Sequence, residues 1–323
     1  MGSIPVPSRW KCVATAAGVA IASMSGVIGP ASADIPESDN PIKIAVNEWT
    51  GQHISAHIAG AVLAEMGYSV EFITAGALPQ FQAIAQGELH VQPEVWTNSV
   101  SDIYPKAIES GDIVNLGLLG LQPQEGWIYP PYMAEKCPGL PDFNALYECT
   151  QAFATSETFP NGRLVTYPAD WGTRSKDVVE AIGLPFTPVP GGSEGAMVAE
   201  IDSAIATGDP ILIMFWQPHW LFAVHDLEWV QWNDADGECV EETQTREMAC
   251  GFQQATVDKI VSGTATEEWP GAVRLLGHFT LTNAEHNHMI NEIDQNKRAL
   301  EDVVQEWMGK NQDTWKSWIS ASM

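Results

Sequence analysis

Thirteen tryptophans occur in 323 residues, and all but Trp10 follow residue 33. Five sit where strand-like runs end or where the chain turns out of one. Trp49 closes KIAVNEW, Trp96 closes LHVQPEVW, and Trp216 closes ILIMFW; Trp127 lies in EGWIYP and Trp171 in ADWGT. An indole face attracts a cation by about 0.5–2 kcal/mol per ring, more as water is removed. Several faces around one site suit a methylated ammonium, which carries its charge on apolar methyls and has no N–H to donate. Any one of these rings has a competing role in core or hinge packing. Five at strand ends form a pattern that core packing alone does not favour. Trp229, Trp232, Trp269, Trp307, Trp315 and Trp318 lack this placement and read as packing, and Trp220, in QPHW, is left open.

Two carboxylates accompany the rings. Side chains two apart on a strand share a face, so Glu94 goes with Trp96 and Glu125 with Trp127. Either could neutralise a cation or, protonated, donate to an N-oxide oxygen; a surface or hinge salt bridge is the competing role. Arg174 and the backbone N–H groups after Trp171 open a helix and could hold a carboxylate. In that case the guest is betaine-like. Basic residues are sparse, and only Arg174 lies near a pocket motif. That favours a guest without a carboxylate, trimethylamine N-oxide first, with glycine betaine and choline as alternatives.

The elements that must position these residues alternate. Strand signals at Lys43–Trp49, Ser69–Thr74 and Leu89–Trp96 interleave with helix signals at His53–Met66, Gln80–Gln86 and Ile103–Ser110. This order predicts an α/β fold with a parallel sheet covered by helices. A proline-rich stretch (Pro130, Pro131, Pro138, Pro141) interrupts it. The alternation restarts with strand Arg163–Tyr167, helix Ser175–Ile182, a strand near Phe186–Val189, helix Glu194–Ala206 and strand Pro210–Trp216. Asn283–Trp318 reads as helical and is expected to pack back on the first lobe. The domain reading is a leader at 1–33, a discontinuous lobe 1 at 34–127 and 227–323, and lobe 2 at 128–226.

Composition narrows the class. Fifteen Lys+Arg stand against 41 Asp+Glu, a net charge of −26, which disfavours nucleic acid and anionic lipid as partners. Arg9 and Lys11, the apolar run Val13–Ile28 and the small residues Ala31-Ser32-Ala33 read as a cleavable export leader, and the periplasm as the destination. Cys137, Cys149, Cys239 and Cys250 suit an oxidising compartment. Their spacing suggests bridges Cys137–Cys149 and Cys239–Cys250, although four cysteines allow three pairings. No cofactor is implied beyond an optional structural Ca²⁺ at Asp234, Asp236 and Glu238, where a hard-oxygen cluster half-resembles a calcium loop. GGSEG (191–195) fits the hydrolase G-x-S-x-G pattern. Prolines interrupt the preceding strand, so Ser193 reads better as a helix N-cap. An exported serine hydrolase acting on a small amine is thus the alternative from another class.

Taken in order, VNEW (46–49), GEL (87–89) leading to PEVW (93–96), EGWIYP (125–130) and FWQPHW (215–220) resemble substrate-binding proteins of ABC importers for glycine betaine, choline, carnitine and trimethylamine N-oxide. The resemblance spans nearly the whole chain after residue 33. It implies a two-lobed periplasmic flytrap with a ligand cleft between the lobes, an aromatic cage that includes Tyr129, no catalysis, and a monomer that delivers its ligand to a membrane permease.

Overall fold

The computed structural model describes residues 35–100, 104–233 and 239–323. The expected leader at 1–33 and the optional calcium ligands Asp234, Asp236 and Glu238 lie outside these residues. Eleven strands are present among them: β1 (Ile42–Val46), β2 (Val70–Thr74), β3 (Val91–Trp96), β4 (Ile113–Leu118), β5 (Gln124–Tyr129), β6 (Pro138–Pro141), β7 (Gly162–Thr166), β8 (Phe186–Pro190), β9 (Ile213–Gln217), β10 (Glu228–Trp229) and β11 (Val257–Ser262).

Ten of them build two sheets, and β6 joins neither. The first runs β2-β1-β3-β11-β4 and the second β10-β5-β9-β7-β8. In the first, β1 is parallel to β2 and β3, as the alternating pattern predicts, but β11 runs antiparallel to both β3 and β4. The expectation of a parallel sheet is therefore corrected to a mixed one. The reason is topological. A strand reached through a helical crossover returns parallel, whereas β11 arrives only after the chain has built the whole second sheet, so no crossover sets its direction. The second sheet is mixed in the same way: β7 is parallel to β8 and β9, while β5 is antiparallel to β9 and β10.

Strands of the first sheet come from 42–118 and 257–262, those of the second from 124–229. Trp127 thus belongs to the second sheet, not to the 34–127 segment expected for the first. Likewise β10 joins the second sheet although it falls within 227–323.

The helix Thr50–Glu65 is buried over most of its length, because β1 and β3 lie on one side and the C-terminal helices Asn283–Asp294 and Leu300–Lys310 on the other. Gly51 permits this docking. A Cβ there would stand 2.5 Å from Cε1 of His286, so any other residue would force the C-terminal helix away. Both cysteine pairs are bridged, Cys137 to Cys149 and Cys239 to Cys250, as the spacing suggests.

Candidate functional site

Ends of strands from both sheets converge on one cavity of about 50 Å³. Its walls include Trp49, Gln80, Phe81, Glu94 and Trp96 from the first sheet's side and Glu125, Tyr167, Trp171 and Trp216 from the second. The carboxyl ends of strands are where ligand crevices form in open α/β sheets.

Proline placement explains part of the first wall. Pro93 lacks the N–H that would continue the ladder, so β1 and β3 pair only at Ile44–Val91, and the register of β11 shifts between Asp258 and Ile260. The loosened strand leaves its polar residues to a buried amide network. Gln52 Nε2 donates to Gln92 Oε1 at 2.8 Å, Gln92 Nε2 to Asn47 Oδ1 at 2.8 Å, and Asn47 Nδ2 to Gln80 Oε1 at 3.0 Å. Gln92 Oε1 also accepts the Glu94 N–H at 3.1 Å. This network holds Gln80 and Glu94 in place.

Glu94 is fully buried and saturated. Its Oε1 accepts the indole N–H groups of Trp49 (2.8 Å) and Trp96 (3.1 Å); its Oε2 accepts Ser55 Oγ–H (2.6 Å) and faces His286 Nε2 at 3.3 Å. Burial pushes the carboxyl up. The hydrogen bond and charge of His286, with those from Ser55 and Trp49, outweigh it and hold the group below the usual carboxylate range. Glu94 is therefore an anion that accepts only, which removes the option of a protonated Glu94 donating to an N-oxide.

The second wall is built by register. Glu125 pairs across β5 and β9 with Trp216, so both project from the same face. Glu125 Oε1 accepts Tyr167 Oη–H at 2.8 Å; its Oε2 accepts Arg174 Nη1–H at 2.8 Å and the Asn98 amide. Burial first, then the Glu125 charge and hydrogen bond, push the Tyr167 phenol well above its ordinary value, so it stays a donor.

The rings meet at steep angles. Trp49 contacts Trp171 with centroids 5.0 Å apart at 65°, which joins the two sheets, and Trp171 contacts Trp216 at 5.6 Å and 73°. Tyr167 lies 5.7 Å from Trp171 and 5.6 Å from Trp216. No lysine or arginine is among the lining residues. Arg174, the candidate carboxylate anchor, is instead spent on Glu125, Glu241 and the Gln253 carbonyl.

Of the residues singled out from sequence, the structure brings Trp49, Glu94, Trp96, Glu125, Trp171 and Trp216 together. Trp127 and Tyr129 it does not. Trp127 lies in the middle of β5, fully buried against Trp232 and Phe252, and its indole donates to Ser175 Oγ at 3.0 Å. Tyr129 is buried further along the strand and donates to Glu228 at 2.8 Å. Two-residue spacing gives them the face of Glu125, but Trp127 packs against Trp232 and Phe252 of the segment after β10, and Tyr129 against Glu228 of β10 itself. Tyr167, Gln80 and Phe81 were missed. Tyr167 ends the run RLVTY, so the strand-end criterion would have found it had it not been confined to tryptophan.

Near the cavity, Glu194, His219 and Asp294 place one ligand-type atom each within 4.8 Å of one another. Every such atom already has a hydrogen-bond partner. Glu194 accepts from Thr50 N–H (2.8 Å) and faces His219 Nε2 (3.2 Å), and Asp294 accepts from Thr50 Oγ1–H (2.8 Å) and Trp220 Nε1–H (2.9 Å). His219 Nδ1 accepts Leu221 N–H at 3.1 Å, which puts the ring proton on Nε2. The group ties elements of the two sheets together through hydrogen bonds. Ser193 accepts from Ala196 N–H at 3.2 Å as the N-cap of the helix Glu194–Thr207.

The family model for the substrate-binding domain of the ABC-type glycine betaine transport system (OpuAC) matches residues 40–310. A trimethylamine N-oxide-binding protein of Pelagibacter ubique (strain HTCC1062) is 25% identical over 304 residues, covering 92% of this chain and 95% of that protein. Among solved structures, a choline-binding protein of an ABC transporter in complex with choline superposes with a TM-score of 0.74 at 18% identity, over 88% of this chain and 93% of that one. Lactococcal OpuAC, closed on glycine betaine, superposes with a TM-score of 0.69 at 20% identity, over 87% and 100%. At these identities the two structures establish the two-lobed fold.

Proposed function

We propose a function from one premise: this chain belongs to the family of substrate-binding domains of ABC-type glycine betaine transport systems. It captures a small methylated ammonium solute between its lobes and carries it to a membrane permease, without chemistry. Residues 1–33 act as an export leader, and the mature monomer works in the periplasm. Among the described residues no helix is long and apolar enough to cross a membrane.

The observation that carries this reading is the cavity lining: four indoles and a phenol, drawn from both sheets, around two carboxylates and no cationic side chain. Aromatic faces and fixed anions favour a positive, methyl-covered guest. Both carboxylates are saturated by protein donors, so they act on the guest through charge, not through a hydrogen bond. The cavity size favours a compact guest, since about 50 Å³ corresponds to roughly four waters at about 10–15 Å³ each. Trimethylamine N-oxide fits best. It brings no carboxylate, and its charge lies under three methyls. The Pelagibacter relative, named for binding this solute, supports the same choice.

Calorimetric titration with trimethylamine N-oxide, choline and glycine betaine tests the proposal, with the ligand recovered unchanged afterwards. Tightest binding of trimethylamine N-oxide is expected. Absence of heat and of any tryptophan fluorescence change with all three would overturn it.

A further inference from the structure

Behind the second wall lies a buried cluster with more acid than base. Arg174 is only 6% exposed. Its Nε and Nη2 donate to Glu241 Oε1 at 2.9 and 2.7 Å, its Nη1 to Glu125 Oε2 at 2.8 Å, and its Nη2 to the Gln253 carbonyl at 3.2 Å. The Phe252 ring covers the guanidinium, 5.2 Å from its centroid. Burial alone would weaken the charge, but Glu125 and Glu241 outweigh it and raise the group above its ordinary value. One guanidinium therefore serves two carboxylates, and only one of these, Glu125, lines the cavity.

Glu241 is presented by a braced loop. It lies two residues after Cys239, whose disulfide to Cys250 closes the segment. Within the loop Gln244 Nε2 donates to the carbonyls of Glu241 (3.2 Å) and Gly251 (3.0 Å), while its Oε1 accepts the N–H groups of Cys250 (3.2 Å) and Gly251 (3.0 Å). Glu241 Oε1 also accepts the Gln253 N–H at 3.0 Å. The carboxylate is thus fixed on Arg174 by a loop outside the cavity lining.

We infer that Glu241 is a specificity-determining positioning residue: by engaging Arg174 from behind, it keeps the guanidinium from serving a guest's carboxylate and leaves Glu125 acting as an anionic wall. The site then discriminates against methylated amines that carry a carboxylate and in favour of those that do not. This inference rests on the functional reading above and adds the source of its selectivity.

The test is Glu241→Gln, titrated with choline and glycine betaine beside the wild type. Without Glu241, Arg174 compensates Glu125 more fully. The cation loses attraction while the carboxylate loses repulsion. The ratio of glycine betaine to choline affinity should rise about tenfold, the size expected for one buried charge acting over several ångströms. Glu241→Asp, which keeps the charge, should hold the ratio near the wild-type value. Equal weakening of both ligands by Glu241→Gln would mark a merely structural role and overturn the inference. Should that variant fail to fold, the Cys239→Ser/Cys250→Ser double variant, which frees the loop while retaining Glu241, should shift the ratio a few-fold in the same direction; an unmoved ratio overturns the inference equally. A wild type that binds neither ligand nor trimethylamine N-oxide overturns the functional reading, and this inference with it.

Discussion

The two walls of the cavity each present a buried glutamate, but they stabilise it by different means. Glu94 is held by the indoles of Trp49 and Trp96, the Ser55 hydroxyl and the His286 ring. Glu125 is held by a guanidinium as well as by the Tyr167 hydroxyl. On the first wall the donors are themselves the cage: the two indoles that line the cavity also bind the carboxylate. On the second wall the charge is partly compensated, and the compensation is set from outside the cavity. A buried anion can thus be held by groups packed around it within the cavity wall, or by a counter-ion whose other partner lies outside the cavity, which makes its effect adjustable.

Substitutions can break this comparison, beginning with a control that lies outside both walls. Trp127→Ala should chiefly cost stability, about 3–5 kcal/mol as for other buried aromatics, read as a lower midpoint in thermal unfolding without ligand. A Trp127→Ala variant with native stability and lost binding would put that ring back in the site. Trp49→Ala should weaken trimethylamine N-oxide binding at least about tenfold, since it removes both a ring face and a donor to Glu94, with the fold retained. Trp216→Ala, which removes a ring face alone, should cost less. Equal losses in calorimetry would refute the dual role assigned to the first wall's indoles.

The pH dependence sharpens the comparison further. The Glu94 carboxyl is held below its ordinary value in the folded protein. Its contribution to stability is therefore present above the ordinary glutamate range, near roughly pH 4.3, and is lost as pH falls through the lower folded value. Denaturant unfolding measured from pH 6 downward should show this loss, and Glu94→Gln should flatten it. The smallest effect is expected from Tyr167→Phe. It removes one donor from a carboxylate that keeps Arg174 and Asn98, and should change affinity by no more than about threefold, in line with the modest net value of one hydrogen bond.

Several features were legible without coordinates. The α/β alternation, the two cysteine bridges and the strand-end placement of the four tryptophans that line the cavity follow from local signals, because strand ends, turn residues and short cysteine spacings are properties of nearby residues. Ser193 as an N-cap follows for the same reason. The direction of β11 was not legible, since strand polarity depends on where the chain returns from. Nor was the depth of Trp127 and Tyr129, which share the face of Glu125 but are covered by Trp232, Phe252 and Glu228, more than 90 residues away in sequence.

By itself, then, the sequence determined the aromatic and acidic character of the cavity, through the number of indoles placed at strand ends and the scarcity of basic residues among 41 acidic ones. Only the tertiary structure decided which carboxylates line the cavity and which partners Arg174 takes. Sequence spacing tells which side chains share a face. Pairing a buried charge is a matter of which distant segments close around it, and here that segment is the loop bridged by Cys239 and Cys250.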